Sequence, residues 1–211
     1  MPTTGPTTTT RTAILSGGPP ARGDRWAFAR GWWRAPTAVG GPFRSSVWTA
    51  DRIARAVLET ARGGGPVVET GAGTGPITEA LLRQGCPLDG LVVIERDPAM
   101  CDFLAERIPG LRIVTGDAID LRGTLAAAGV RGARAVLSGL PMRVVAADAA
   151  RRYYESAFEL MPPGGAVTQY TYGARSPLDP AIVDAAGLEA EFVVREWRNL
   201  PPMGVWRYRR R

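Results

Sequence analysis

The stretch VVETGAGTG, residues 67–75, places a short apolar run, an acid and three alternating glycines before a helical pattern that starts at Pro76. The apolar run predicts a buried strand, and the pattern after it predicts a helix. Gly71, Gly73 and Gly75 allow positive φ angles, and the absence of Cβ atoms lets a ligand approach the main chain. The first N–H groups of the helix point at the same place. The stretch therefore predicts a ligand over a strand–turn–helix unit; the alternative is a tight turn that binds nothing.

Apolar runs and helical patterns alternate along the rest of the chain. Such alternation is typical of an α/β fold with a parallel sheet. Beyond the first strand, the predicted strands are 91–95, 111–114, 133–137, a fifth through Tyr172, and a terminal antiparallel pair at 191–198 and 205–209. The predicted helices are 48–62, 77–84, 98–107, 144–160 and 179–186.

Length and composition indicate one domain with a short extension. The chain has 211 residues, of which 45% are hydrophobic. No apolar run approaches the roughly 20 residues that span a bilayer, and the N-terminus lacks the basic and apolar regions of a signal peptide. We therefore expect a cytoplasmic protein.

Cysteine and histidine content narrows the chemistry. The chain has two cysteines, Cys86 and Cys101, without metal-ligand spacing, and it has no histidine. This argues against a zinc site and against a disulfide scaffold, so no metal is expected. It also excludes the commonest general base and every nucleophile that depends on histidine. Proton transfer must use another group.

The net charge of +6 and the pI of about 10.1 come from arginine alone, because the chain has no lysine. A basic balance predicts a partner that carries phosphates, either nucleic acid or an anionic membrane surface. A general bias toward arginine is the alternative explanation.

The N-terminal 46 residues differ in composition from the rest. Residues 1–21, rich in Thr, Pro and Gly, predict a disordered tail. In 22–46, a helical wheel groups four aromatic side chains opposite two arginines, which predicts an amphipathic membrane-associating helix followed by a loop. The alternative is a helix that packs on the domain or covers a cofactor. The residues concerned are Trp26, Phe28, Trp32 and Trp33, with Arg30 and Arg34.

Polar residues stand at successive predicted strand ends. Glu95 ends the second strand, about 20 residues past the glycine turn, where an acid can accept hydrogen bonds from ribose hydroxyls. Asp117 follows the third strand, although an Asp in a turn is common, and Ser138 follows the fourth. Open α/β sheets bind ligands at these carboxyl ends, so we expect one site there.

Glu69, two residues before Gly71, and the G-x-G-x-G spacing together resemble motif I of the class I S-adenosylmethionine (SAM) methyltransferases. The resemblance implies an α/β, Rossmann-like, seven-stranded sheet in 47–211, with helices on both faces, an antiparallel last strand and an N-terminal helical extension. It implies SAM as cofactor and S-adenosylhomocysteine as product. The cofactor-binding residues that it implies are Glu69, Gly71, Ala72, Gly73, Gly75, Glu95, Arg96, Asp117, Ala118 and Ser138.

Within that superfamily, three segments are similar to the soluble bacterial phospholipid N-methyltransferases, which convert phosphatidylethanolamine stepwise to phosphatidylcholine. The segments are SGLP at 138–141, QYTYG at 169–173, and WRNLPP at 197–202 with VWRY at 205–208. This resemblance implies a phospholipid substrate, taken at an anionic membrane surface by an enzyme peripherally associated with the inner face of the membrane. The pattern does not predict the oligomeric state.

Two other functions stay open. The rRNA adenine dimethyltransferases share the domain, but they place an aromatic residue after the proline of the fourth-strand motif to stack on a flipped adenine. Here Met142 follows Pro141, and we expect no C-terminal RNA-binding helical domain, so nucleic acid is the weaker prediction. The other is a SAM-binding or membrane-adsorbing protein without catalysis, and the intact set of Glu69, Gly71, Gly73 and Glu95 argues against it.

The candidates to hold the substrate amine, or to relay its proton, are Tyr170, Tyr172 and the carbonyl groups of Ser138 and Gly139. Strand alternation puts the two tyrosines on one face, although either could be plain core. The substrate-binding candidates are Ser45, Ser46, Leu140, Arg175 and Asn199. Ser45 and Ser46 could instead cap a helix. Arg44, Arg175 and Arg207 are candidates for the lipid phosphate.

Overall fold

The computed structural model describes residues 47–172, 175–197 and 202–211. These residues form one seven-stranded sheet flanked by helices. The strands are β1 (Val67–Thr70), β2 (Leu91–Glu95), β3 (Arg112–Thr115), β4 (Ala135–Ser138), β5 (Val167–Tyr172), β6 (Leu188–Glu196) and β7 (Met203–Arg210). The predicted tail and amphipathic segment, 1–21 and 22–46, lie outside the described residues.

The helices connect the strands. They are α1 (Val47–Leu58), α2 (Pro76–Arg83), α3 (Pro98–Arg107), α4 (Leu121–Ala127), α5 (Ala147–Leu160) and α6 (Pro180–Ala185). Short 3-10 turns occur at Leu88–Gly90, Ala118–Asp120 and Met142–Val144. Prolines at the first turn and aspartate caps start α3 and α6, where the side chains of Asp97 and Asp179 accept hydrogen bonds from backbone N–H groups.

The sheet order is β3-β2-β1-β4-β5-β7-β6. Strands β1 to β5 run parallel, and β7 pairs antiparallel with both β5 and β6. The parallel strands therefore end at one edge of the sheet, which we call the carboxyl edge. Because of the antiparallel pairing, β6 also ends there and β7 starts there. This topology confirms the predicted Rossmann-like sheet with an antiparallel last strand.

The central strands are buried along their whole length, as a parallel sheet covered on both faces requires. One face packs against α1, α2 and α3 through a core cluster that includes Ile53, Leu81 and Leu104. The fully buried tyrosines Tyr153 and Tyr154 belong to α5, which packs against α4 on the other face.

Most predicted elements are present, but several boundaries are different. Helix α1 ends at Leu58 rather than at 62, and α5 begins at Ala147 because the chain first makes a 3-10 turn after Pro141 and then extends at Val145. Strand β6 covers Leu188–Glu196 instead of 191–198. Helix α4 was not predicted; its seven residues contain Gly123 and show little helical periodicity.

Candidate active site

The glycine turn after β1 adopts the predicted left-handed backbone. The φ angles are 72° at Gly71, 57° at Gly73 and 79° at Gly75. A Cβ added at Gly71 would lie 3.2 Å from Leu140 Cδ2, and one at Gly75 would lie 2.5 Å from Leu104 Cδ2. Both the φ angles and the close packing therefore require glycine, and the turn presents bare main chain at the carboxyl edge.

Glu95, the last residue of β2, links its strand to the glycine turn. Its Oε2 accepts a hydrogen bond from Gly73 N at 3.0 Å. Its Oε1 accepts from Arg96 N at 2.7 Å and from Asp97 N at 3.0 Å. A carboxylate has about four lone-pair sites, so acceptor capacity remains for a ribose hydroxyl. The predicted neighbourhood of Glu95 and the glycine turn is confirmed.

Glu69 lies in β1 with 2% of its surface exposed, and its Oε2 accepts a hydrogen bond from Thr78 Oγ1 at 2.7 Å. Burial raises the pKa of its carboxyl to about 7; nearby Glu95 adds to the rise, and the Thr78 hydrogen bond opposes it. A cationic ligand group beside this carboxyl would favour the ionised form. Glu69 therefore fits the ammonium of an amino acid moiety.

The segment after β3 lies one strand further out. Asp117 is exposed, and its Oδ1 accepts a hydrogen bond from Ile119 N at 2.9 Å, which caps the following 3-10 turn. Ala118 is buried at 7% exposure, and Arg96 is exposed at the end of β2. Since β3 pairs with β2, these residues share the carboxyl edge with Glu95.

Three segments converge at Gly139, directly after β4. Gly139 N donates to Thr70 O at 2.8 Å, which ties the β4 turn to the end of β1. A Cβ added here would lie 2.6 Å from the Tyr170 hydroxyl and 2.7 Å from Gly71 O. No φ requirement applies at Gly139, so the close approach alone requires glycine. The adjacent Ser138 is fully buried, and its Oγ accepts from Leu140 N at 3.4 Å.

The two tyrosines of β5 are half-buried and pack against the same core cluster, so the prediction that they share a face is confirmed. Burial raises the pKa of Tyr170 above its ordinary value, and Glu69, Tyr172 and Glu95 add to the rise. Burial also raises the pKa of Tyr172. Both hydroxyls are therefore neutral near pH 7, able to donate and accept hydrogen bonds but poorly suited to remove protons.

Sequence reasoning missed the residues that support this turn. The Gln169 side chain donates from Nε2 to Leu140 O at 2.9 Å and to Tyr170 O at 3.1 Å. Its Oε1 accepts from the Tyr154 hydroxyl at 3.2 Å. On the same helix, the Tyr153 hydroxyl lies 2.9 Å from Thr70 Oγ1. Paired tyrosines in a helix read as core, and no local pattern links them to strand ends.

The remaining predicted residues have different outcomes. Leu140 is half-buried against Gly71, and Arg175 is exposed beyond β5. Arg207 is wrong as a phosphate ligand, because it is 7% exposed and bonds to Ala56 O, Glu59 and Glu191. The other candidates lie outside the described residues: Ser45, Ser46, Arg44, Asn199 and the aromatic and basic residues Trp26, Phe28, Arg30, Trp32, Trp33 and Arg34.

Two features are absent from the part of the chain that the structure describes. Within 47–172, 175–197 and 202–211, no group of three or more His, Cys, Asp or Glu residues is arranged to hold a metal ion. In the same ranges, no helix has the length and apolar character needed to cross a bilayer.

The site fits SAM by the chemistry of its donor set. A buried acid with a raised pKa suits an ammonium, and a carboxylate at a strand end suits a ribose hydroxyl. The glycine turn presents main chain without Cβ atoms beside them. The carboxyl edge where these groups meet is where open α/β sheets bind ligands.

Comparison with known proteins gives one relative of high coverage. The chain is 31% identical over 194 residues to the ornithine lipid N-methyltransferase of Singulisphaera acidiphila, and the match covers 87% of this chain and 94% of the relative. A scan against protein-family models found no match.

Solved structures share the fold at low sequence identity. The magnesium protoporphyrin IX methyltransferase of Synechocystis PCC 6803, solved with bound SAM, has a TM-score of 0.62 at 12% identity, covering 92% of this chain and 100% of its own. Streptomyces venezuelae DesVI has a TM-score of 0.58 at 15% identity, covering 90% and 100%. A TehB-like SAM-dependent methyltransferase from Corynebacterium glutamicum has a TM-score of 0.56 at 17% identity, covering 89% and 98%.

Proposed function

Because this chain belongs to the SAM-dependent lipid N-methyltransferases, we propose that it methylates the primary amine of phosphatidylethanolamine, stepwise toward phosphatidylcholine, at a membrane surface. The observation that carries the proposal is the convergence at Gly139. There the glycine turn, the SGLP turn and the Tyr170 hydroxyl approach one another closely, next to the expected cofactor site.

SAM is the cofactor, and it supplies an electrophilic methyl group. The chain's own residues bind and align the reactants and exclude water. Glu69 would hold the cofactor's ammonium, Glu95 its ribose, and the main chain of the glycine turn the portion between them. Asp117 and Ala118, one strand further out, would lie beside the adenine.

The lipid amine must lose a proton before it can accept a methyl group. An alkylammonium has a reference pKa of about 10.4, and a site of low dielectric lowers that value. The neutral oxygens of Tyr170 and Tyr172 can each accept a hydrogen bond from an amine N–H and so orient the nitrogen lone pair. The half-buried rings of Tyr170 and Tyr172 also attract the methylated cation. The proton leaves to solvent as the amine enters.

An ornithine lipid is the second candidate substrate, favoured by the 31% identity to an ornithine lipid N-methyltransferase. Both lipids offer a primary amine, but only phosphatidylethanolamine has a phosphate next to it. Arg175 is exposed just beyond β5, and it is the arginine that would bind that phosphate. The phosphate therefore distinguishes the two candidate substrates.

Methylation of rRNA adenine has less support. In the rRNA enzymes, an aromatic side chain after the fourth-strand proline stacks on the flipped base. Met142 stands at that position, and it is packed inside the domain with 3% exposure. It offers no surface on which a base could stack.

The test incubates the purified chain with SAM that carries a labelled methyl group and with three acceptors in parallel reactions. The acceptors are phosphatidylethanolamine in anionic liposomes, an ornithine lipid in liposomes of the same composition, and rRNA. We expect label in phosphatidylethanolamine and loss of about 1.5–3 kcal/mol of transition-state binding in Arg175→Gln. Label in the ornithine lipid alone, with no effect of Arg175→Gln, would replace the phospholipid substrate. Label only in RNA would overturn a lipid function.

A further inference from the structure

The second half of β6 and the residue after it carry two exposed aromatic rings and a half-buried arginine that the proposed chemistry does not use. This cluster consists of Phe192, Arg195 and Trp197, and we call it the β6 patch. Trp197 is 69% exposed and Phe192 is 42% exposed. Strand β6 lies at the edge of the sheet, where folded proteins usually place charges rather than large apolar side chains.

A β-bulge brings the three side chains onto one face. Strict alternation would put Phe192 and Arg195 on opposite faces, because they are three residues apart. The pairing with β7 shifts register between Phe192 and Val194, which reverses the alternation. The Arg195 guanidinium carbon consequently lies 5.7 Å from the centre of the Phe192 ring and 5.1 Å from that of Trp197.

Packing holds the patch in place. The Phe192 ring makes an edge contact with Trp206 on β7, with 5.1 Å between ring centres. Arg195 is held between the two aromatic rings by cation–π contacts, which orient it without a counter-charge. The exposed rings are therefore ordered before any partner binds, which lowers the entropy cost of binding.

Arg195 differs from eight other arginines of the described ranges in having no carboxylate beside it. Within the described ranges no carboxylate lies at ion-pair distance from it, and its buried Nε has no hydrogen-bond partner. Ion pairs do hold Arg52, Arg83, Arg107, Arg122, Arg151, Arg207, Arg209 and Arg211. An unpaired guanidinium flanked by aromatic rings is complementary to a phosphate beside an apolar layer.

The β6 patch lies at the same edge of the sheet as the candidate active site. Glu196, which precedes Trp197, pairs with Met203 on β7, and Met203 pairs with Tyr172 on β5. With strands about 4.8 Å apart, the end of β6 is roughly 10 Å from that of β5. The two tyrosines pack on the α1 face of the sheet, and Glu196 turns to the same face through its ion pair with Arg52. The patch therefore lies on the opposite face and shares with the tyrosines the carboxyl edge, which a surface that docks there would approach.

We propose that the β6 patch docks the domain on an anionic phospholipid bilayer, with the aromatic rings at headgroup depth and Arg195 on lipid phosphate. This rests on the proposed function for its lipid substrate, but it assigns the docking to the catalytic domain rather than to residues 22–34. Pairing with a second copy is disfavoured, because a two-fold contact at this edge would bring two unpaired Arg195 side chains together.

The test measures binding of the full chain to vesicles of phosphatidylglycerol and phosphatidylethanolamine by co-sedimentation. Arg195→Gln should weaken binding about fivefold, the effect of one charge near an anionic surface, and Trp197→Ser by a similar factor. Trp197 contacts Arg195 and is mostly exposed, so its replacement leaves folding intact. SAM affinity, measured on each variant, checks the fold.

The matched control is Phe103→Ser with Arg107→Gln on α3. Phe103 is 39% exposed, and Arg107 lies 5.9 Å from its ring, so the pair repeats the chemistry of the patch. Helix α3 follows β2, near the opposite end of the sheet, and Arg107 is ion-paired with Glu79. Its vesicle binding should stay within about twofold of the original chain.

Vesicle binding that is unchanged in both patch variants would overturn the proposal, as would an equal loss in the control. So would a change of oligomeric state in Trp197→Ser with no change in vesicle binding. Methyl transfer to lipid dispersed in detergent needs no vesicle docking, so this assay tests the proposed function independently of the docking proposal. If the original chain methylates no lipid but loses vesicle binding in the patch variants, the proposed function fails and the docking surface stands.

Discussion

At Gly139 a single hydrogen atom in place of a side chain lets three parts of the site meet. A methyl group there would lie 2.6 Å from the Tyr170 hydroxyl and 2.7 Å from Gly71 O, so both must move. We predict that Gly139→Ala lowers kcat about a hundredfold, because displacement by about 1 Å can cost that much in an aligned reaction. Steady-state kinetics of methyl transfer measure this change in kcat.

The control for this change is Gly64→Ala. An added Cβ at Gly64 would meet no atom within 4 Å, and like Gly139 this glycine has no positive φ. Its turnover should equal that of the original chain. Equal turnover in Gly139→Ala would show that the close approach at Gly139 takes no part in the reaction.

The tyrosine hydroxyls of β5 provide a second test. Tyr170→Phe and Tyr172→Phe should each lower turnover about tenfold, the value of one hydrogen bond to the amine, without loss of SAM affinity. Calorimetry with SAM and steady-state kinetics separate the two effects. A tyrosine whose replacement leaves turnover unchanged has no part in holding the amine.

Glu69 predicts a pH dependence of stability. Its folded-state pKa of about 7 lies above the ordinary value of 4.5, so the stability contributed by the neutral form is complete below pH 4.5 and lost as pH rises through 7. At about 1.36 kcal/mol per pH unit, the loss is on the order of 3 kcal/mol. Urea unfolding without cofactor should show it, and Glu69→Gln should abolish it.

Binding of SAM should lower the pKa of Glu69, whereas burial raises it. An ammonium beside Glu69 favours the carboxylate, so affinity for SAM should increase as pH rises from about 4.5 to about 7. In Glu69→Gln the affinity should be lower and nearly independent of pH in that range. A pH profile that is the same in both chains would place the ammonium elsewhere.

Among the secondary-structure elements, α5 and β5 together fix the SGLP turn. The buried Gln169 bridges the buried Tyr154 on α5 to the carbonyl of half-buried Leu140. Gln169→Leu should destabilise the chain by about 1–3 kcal/mol, because it leaves those groups without partners, and it should lower kcat more than it changes KM. Tyr154→Phe removes only the outer bond and should have the smaller effect. Equal kcat in Gln169→Leu would make the bridge purely structural.

The same elements show what sequence could predict. Strands β1 and β2 are apolar runs bounded by Gly, Pro and acidic residues, so their positions follow from local pattern. Helix α4 is held by its packing on α5, and the 3-10 turn that delays α5 depends on Pro141 and the strand before it. Such tertiary causes leave no periodic signal in the sequence.

The contacts of the candidate site also divide into those that local sequence predicts and those that depend on tertiary packing. The glycine turn and Glu95 were predictable, because motif spacing and the topology of parallel strands determine where they meet. The raised pKa of Glu69 and the bridge through Gln169 depend on burial and on contacts between distant segments. The sequence therefore predicted the contacts of the glycine turn better than the contacts that hold the SGLP turn.

On the scale of the whole molecule, the functional features gather at the carboxyl edge of one sheet. The glycine turn, Glu95, Gly139 and the tyrosines lie there, and so does Trp197 at the end of the β6 patch. We therefore expect the two ends of the sheet to have different functions. Strands β1 to β4 would bind the cofactor, and the β5–β7–β6 end would contact the lipid. The separation predicts that changes to the β6 patch alter vesicle binding while SAM affinity stays the same.

The most direct test of the account is mass spectrometry of the lipid after reaction of the purified chain with SAM and phosphatidylethanolamine vesicles. We predict one to three methyl groups on the headgroup nitrogen, and none with Glu95→Ala, which loses the link between β2 and the glycine turn. Methyl groups at any other atom of the lipid, or an unmodified lipid beside methylated RNA, would contradict it.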